Sequence, residues 1–173
     1  YKVITVFVDQ FSDLSFVYTQ KSTTAEETVQ AKEAFERYAK THGVTVRHYH
    51  ADNGIFAEAE FLRAVEKNGQ SISFCGVNAH HMNGHAEKRI RDLQENARAM
   101  LLHAKRRWPT AVSSHLWPYA VRMANEVHNF SPSIKEAISP IEKFSQVQVS
   151  PRVKHCHTFG CPVYVLDGKL QVG

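Results

Sequence analysis

Long apolar runs are missing from this sequence. No stretch of its 173 residues approaches the roughly 20 consecutive apolar residues that a membrane-spanning helix needs. The apolar opening YKVITVFVDQF turns polar too soon to serve as a secretory signal. These two absences argue against a membrane partner. Cysteine is scarce as well: Cys75, Cys156 and Cys161 form an odd set without compact spacing, which excludes a disulfide framework and points to an intracellular, reducing compartment. An initiating methionine is lacking, and Tyr1 runs directly into a strand-like pattern, so the chain is expected to be a piece of something longer. Internal repeats and low-complexity tracts are absent too. Neither charge sign dominates: 21 Lys and Arg stand against 17 Asp and Glu, a net charge of +4 beside eleven histidines. That mild basic bias is compatible with a polyanionic partner but does not identify one.

What is present is enough apolar material, 43% of residues, for one globular domain with a core. Residues 3 to 8 (VITVFV) and 14 to 19 (LSFVYT) read as a hairpin, and the first strand is apolar on both faces, which implies a covered sheet. Thr23 and Thr24 each precede a glutamate by three positions, and Ala31, Phe35 and Tyr38 recur at helical spacing before Gly43. The pattern predicts a capped helix over 24–42. A strand over 44–50 follows, then a helix carrying Ala57, Phe61, Ala64 and Val65 and stopping at Gly69, then a short strand over 71–74. After a loop, GVNAHHMNG, a long helix from about Gly84 places Ala86, Ile90, Leu93, Ala97, Met100 and Ala104 on one stripe. Another helix holds Trp117, Ala120, Val121, Ala124 and Val127, with Pro118 tolerated in its first turn. The order predicts an α/β layered domain whose mixed sheet begins with two antiparallel strands. Residues 1–130 form its body. Residues 131–173, punctuated by Ser-Pro pairs, read as a C-terminal extension with a final strand around Val163 to Leu166.

Two carboxylates draw notice by position. Asp52 in Asp-Asn-Gly falls at the C-terminal edge of a strand, where layered α/β folds collect reactive groups, although Asp-Asn-Gly is equally a good turn sequence. Glu87 falls in the first turn of the long helix, where the helix dipole favours an acid without any further role. From Gly84 to Arg107 seven cations (Lys88, Arg89, Arg91, Arg98, Lys105, Arg106, Arg107) outnumber three acids (Glu87, Asp92, Glu95). Glu87, Arg91, Gln94 and Arg98 share one helix face, which suits either a DNA backbone or a solvated surface with Glu87 and Arg91 as an i,i+4 pair. His48, His50 and Asp52 alternate along one strand and raise the option of zinc with His80, His81 or His85, but the spacing matches no zinc pattern. His155, Cys156, His157 and Cys161 read as packing residues.

The blocks FVDQFSD (7 to 13), HADNGIF (50 to 56), NGHAEKRIR (83 to 91), ARAMLL (97 to 102) and FGCPVYVL (159 to 166) come in an order and at intervals that resemble the integrases of copia-type LTR retrotransposons. The resemblance implies a ribonuclease-H-like fold in which two aspartates and a glutamate bind two Mg²⁺ or Mn²⁺ ions. There a water or a DNA 3′-hydroxyl attacks a phosphodiester in line. The second aspartate of that pattern falls on Asp52 and the glutamate on Glu87. The first would lie on a strand preceding Tyr1, and Asp9, the only early stand-in, matches a different family position. The resemblance further implies a polar loop over 76–86, mobile without DNA, and DNA contacts by Asn83, Lys88, Arg91, Gln94 and Arg98. Its partners would be element ends and target DNA, in a homo-oligomer acting in the nucleus. Ile55-Phe56 stands where the family carries a glycine and an acid, so a catalytically inactive DNA-binding remnant is the alternative.

Overall fold

The computed structural model describes residues 1–76, 83–134, 136–149 and 156–164. Its first two strands follow from β-branched and aromatic residues that favour an extended, half-buried backbone: β1 is Val3–Val8 and β2 is Ser15–Gln20. They pair antiparallel, from Val3 opposite Gln20 to Val8 opposite Ser15. Side chains close the turn between them. Asp9 Oδ2 accepts from Ser12 N at 2.8 Å and from Ser12 Oγ at 2.6 Å, and Asp13 takes a φ of 63°, a conformation that aspartate tolerates better than most residues. β2 begins one residue later than expected because Leu14 belongs to the turn, where its side chain is fully buried.

Helix α1 spans Ala25–Thr41, close to the expected 24–42. The Thr24 side chain accepts from Glu27 N at its start, and the Glu27 carboxylate accepts from Lys21 N at 2.7 Å. It ends at Gly43, whose φ is 75°, with Val44 N donating to Ala39 O and Gly43 N to Lys40 O, the reversed bonds of a left-handed helix stop. Committing Val44 to this stop leaves less of the following segment for pairing. The strand expected over 44–50 is therefore shorter: β3 is His48–Ala51. A 3-10 turn over Ile55–Ala57 leads into α2, Ala59–Lys67, which ends at Gly69 by the same device. β4, Ser71–Phe74, lies parallel to β3.

Among the described residues the mixed sheet consists of two two-stranded pieces, one antiparallel and one parallel. No backbone hydrogen bond joins β1 to β3 among the described residues, so each presents an unpaired edge. The pieces share one core even so. Phe7 of β1 stacks on Phe35 of α1 at 4.9 Å and meets Tyr49 of β3 edge-on at 6.1 Å. Phe61 and Val65 of α2 complete this side. Each such aromatic contributes roughly 2 to 3 kcal/mol by leaving water.

Alternation sends the other hairpin face to a second core. Ile4, Val6 and Val17 pack there against Leu93 and Ala97 of α3, Gly84–Arg107, and against Ala120, Val121 and Ala124 of α4, Trp117–Phe130. Helices thus cover both faces of the hairpin, as the doubly apolar β1 required. Buried asparagines lock α4 in place: Ser15 N donates to Asn129 Oδ1 at 3.0 Å, while Asn125 Nδ2 and Asn129 Nδ2 donate to Ser15 O at 3.0 and 2.7 Å. No helix among the described residues is long and apolar enough to cross a membrane.

The C-terminal segment holds an element that lacked a periodic signal. Helix α5, Pro140–Ser145, is too short to show a period, but Ser139 and Glu142 form a capping box and Ile141 and Phe144 enter the first core. Val163 and Tyr164 belong to no strand and are exposed; Val165 and Leu166 of the expected final strand lie outside the described residues.

Candidate functional site

Asp52 follows β3 directly, at the C-terminal strand edge where it was expected, and it is exposed. One of its carboxylate oxygens accepts from Gly54 N at 3.3 Å, so the turn role is present. A side chain at Gly54 would come within 3.2 Å of that oxygen, which makes glycine the residue that leaves the carboxylate room. Neighbouring Asn53 donates to Cys75 O at 3.2 Å and ties the turn to the end of β4.

Glu87 sits in the first turn of α3, exposed, and makes no hydrogen bond or ion pair among the described residues. The i,i+4 pair with Arg91 is therefore not formed, and both charges face solvent. Asn83 precedes the helix without a side-chain cap bond, and Lys88, Arg91, Gln94 and Arg98 are all exposed along it. The steps from 87 to 91, 94 and 98 keep the acid and its cations on one face. Residues 77–82 of the expected polar loop lie outside the described residues.

The other metal candidates have structural partners. Asp9 Oδ2 is occupied by Ser12, as above. His48 shares hydrogen bonds with Ser71 Oγ at 2.8 Å and Ser73 Oγ at 2.9 Å, and His50 with Ser73 Oγ at 2.8 Å and Cys75 Sγ at 3.5 Å. His85 turns to Asp13 at 2.7 Å. Among the described residues no three His, Cys, Asp or Glu side chains gather closely enough to hold a metal ion. His80, His81 and His155 fall outside that set.

One cluster beside Glu87 escaped sequence reasoning. Asp13 accepts from Arg89 at 2.6 Å and from His85 at 2.7 Å, so the residues two before and two after Glu87 are both fastened to the hairpin turn. His128 of α4 donates from Nε2 to Asp13 O at 2.9 Å, and its Nδ1 faces Arg89 at 3.1 Å. A guanidinium can only donate, so His128 is the neutral Nε2–H tautomer. Burial, reinforced by Arg89, holds its pKa below the usual 6.5 against the pull of Asp13. Burial alone would raise the Asp13 carboxyl, but the Arg89 and His85 hydrogen bonds outweigh it and keep the group below 3.8. The legible signal was the i,i+4 spacing of His85 and Arg89; nothing local named Asp13 as their partner.

A hairpin covered on both faces by helices, a second parallel strand pair and an acid opening a basic helix define the layered α/β fold of the ribonuclease-H-like class. Solved integrase cores share it. The catalytic core domain of HTLV-2 integrase in complex with magnesium is 20% identical in its trimeric form over 82% of this chain and 83% of that one, with a TM-score of 0.62. Its dimeric form, at 20% identity, gives 0.60. The catalytic core domain of BIV integrase is 19% identical over 83% of this chain and 85% of that one, also with a TM-score of 0.60. No family model matches the sequence. The fold is integrase-like.

Proposed function

We propose that the chain is the catalytic core of a copia-type LTR retrotransposon integrase, acting on DNA in the nucleus as a homo-oligomer. Asp52 and Glu87 are then two of three metal-binding carboxylates. The observation that carries the reading is the exposed face of α3, where Glu87 opens a row continued by Arg91, Gln94 and Arg98, within an integrase-like fold. Lys88 and Asn83 flank that row, and the five residues hold DNA backbone next to the acid. The HTLV-2 neighbours, solved with magnesium in dimeric and trimeric forms, support the metal and the self-association.

The donor set fits a hard divalent ion in chemistry but not in number. Two exposed carboxylates supply the oxygens that Mg²⁺ or Mn²⁺ prefers, and no group of three such ligands occurs among the described residues. The ion, when bound, activates the attacking oxygen on a phosphodiester. In this reading a further strand, paired to the open edge of β1, carries the first aspartate. The second reading is a catalytically inactive DNA-binding remnant, in which Ile55-Phe56 stands where the family carries a glycine and an acid.

The test uses a chain extended upstream to include an Asp in a strand. The extended protein is expected to perform Mn²⁺-dependent strand transfer, and Glu87→Gln to abolish it while DNA binding persists. Strand transfer by the Glu87→Gln protein removes Glu87 from the site. DNA binding without strand transfer by the extended parent selects the remnant.

A further inference from the structure

The far half of α3 carries an apolar feature that begins at the proposed DNA contacts Gln94 and Arg98 and extends beyond them. A groove of about 720 Å³ lies between α3 and α4, with Leu101, Leu102, Trp117 and Val121 among its lining residues. Val121, Leu101 and Trp117 belong to the second core, so the floor of the groove is the outer surface of packed apolar residues. Leu102, 61% exposed, stands on its wall and extends the apolar surface of the floor into solvent. Among the described residues, the charged ones that line it are Arg98 and Lys105. Neither meets a carboxylate among the described residues; Lys105 Nζ instead donates to Pro109 O at 2.5 Å. Arg106 and Arg107 follow at the helix end and add to the positive rim.

We infer that this groove docks an amphipathic helix of a partner protein, seating aliphatic side chains on the floor and acidic side chains against Arg98 and Lys105. The chemistry of the two surfaces selects that occupant. Leu101, Leu102 and Val121 gain by excluding water and offer nothing to a phosphate, while two cations without an acid attract carboxylates. A helix presents both at once, with apolar residues at i, i+3, i+4 and i+7 and acids beside them. The site is also distinct from the candidate metal site, because Leu101 lies 14 residues, or roughly 21 Å, along the helix from Glu87. The inference is independent of any catalytic role for Asp52 and Glu87.

The probes are two labelled 14-residue helical peptides with leucine at the four anchor positions and either glutamate or lysine at the flanking ones, titrated against the full 173-residue chain by fluorescence anisotropy. The glutamate peptide is expected to bind about tenfold more tightly, the effect of two rim charges. Leu102→Asp is expected to abolish binding without unfolding the chain, since Leu102 is mostly in solvent, and Arg98→Glu with Lys105→Glu to reverse the preference. Equal affinity for both peptides, or no binding of either, overturns the inference. So does displacement of the glutamate peptide by duplex DNA with Leu102→Asp also losing DNA, which assigns the groove to nucleic acid. Conversion of a self-associated chain to monomer by Leu102→Asp assigns it to a second copy and overturns the inference as well.

Discussion

Asp13, in the turn between β1 and β2, accepts a 2.6 Å hydrogen bond from Arg89 in the second turn of α3, across 76 positions of sequence. The Arg89 side chain is only 10% exposed, so its charge relies on Asp13 and on the more distant Asp92 at 3.8 Å. With His85 on the same carboxylate, the pair fixes where α3 begins, and Glu87 with it.

Replacing Asp13 tests this fastening. Asp13→Asn keeps the left-handed backbone and one acceptor but removes the charge, and is expected to cost about 1 to 2 kcal/mol. Asp13→Ala loses both acceptors and tolerates φ 63° poorly, so it is expected to cost about 1 kcal/mol more. Urea denaturation checks both. Equal stability of wild type and Asp13→Ala excludes a structural role for the cluster.

His128 makes stability depend on pH. Its folded pKa lies below 6.5, so between 6.5 and the folded value the unfolded chain binds more protons than the folded one. Stability therefore rises with pH across that window and falls on acidification beginning near 6.5. Thermal melts are expected to lose this slope in His128→Asn. A second loss at lower pH remains, because the carboxyl of Asp13 and those of Glu36 and Glu142 are also held below their usual values.

Lys32 is fully buried, with Nζ 2.8 Å from Glu36 Oε1 and donating to Ala64 O at 3.3 Å. Glu36 also accepts from Tyr49 at 2.7 Å and Gln70 at 2.6 Å. Glu36→Ala strands the lysine charge and is expected to cost about 3 to 5 kcal/mol. Lys32→Met in that background is expected to recover most of the loss, because a buried thioether needs no counter-charge. Equilibrium unfolding of the wild type, Glu36→Ala, Lys32→Met and the double variant decides it, and additive effects refute the coupling.

The proposed DNA binding predicts an affinity that falls with added salt, and Arg91→Ala is expected to lower the slope of log affinity against log salt by about 1. Identical slopes for the two proteins take Arg91 out of the interface.

Local chemistry made much of this molecule legible in the sequence. β-branched alternation marked the hairpin, Thr24 and Glu27 marked the start of α1, and Gly43 and Gly69 marked two helix stops at φ 75° and 63°. The positions of Asp52 at a strand end and Glu87 in a helix first turn were equally readable, because each depends only on neighbours within a few residues. Helix α5 was not, since six residues cannot display a period and its place comes from Ile141 and Phe144 meeting a core built by distant segments.

Tertiary structure alone decided the rest. The division of the sheet into two pieces depends on which strand edges meet, and backbone hydrogen bonds between strands carry no residue code. The Asp13, Arg89 and His128 cluster joins three elements far apart in sequence, and the apolar groove exists only because α3 and α4 pack side by side. Sequence sets what each side chain can do; the fold decides which of them meet, because a contact is a long-range property and a propensity is a local one.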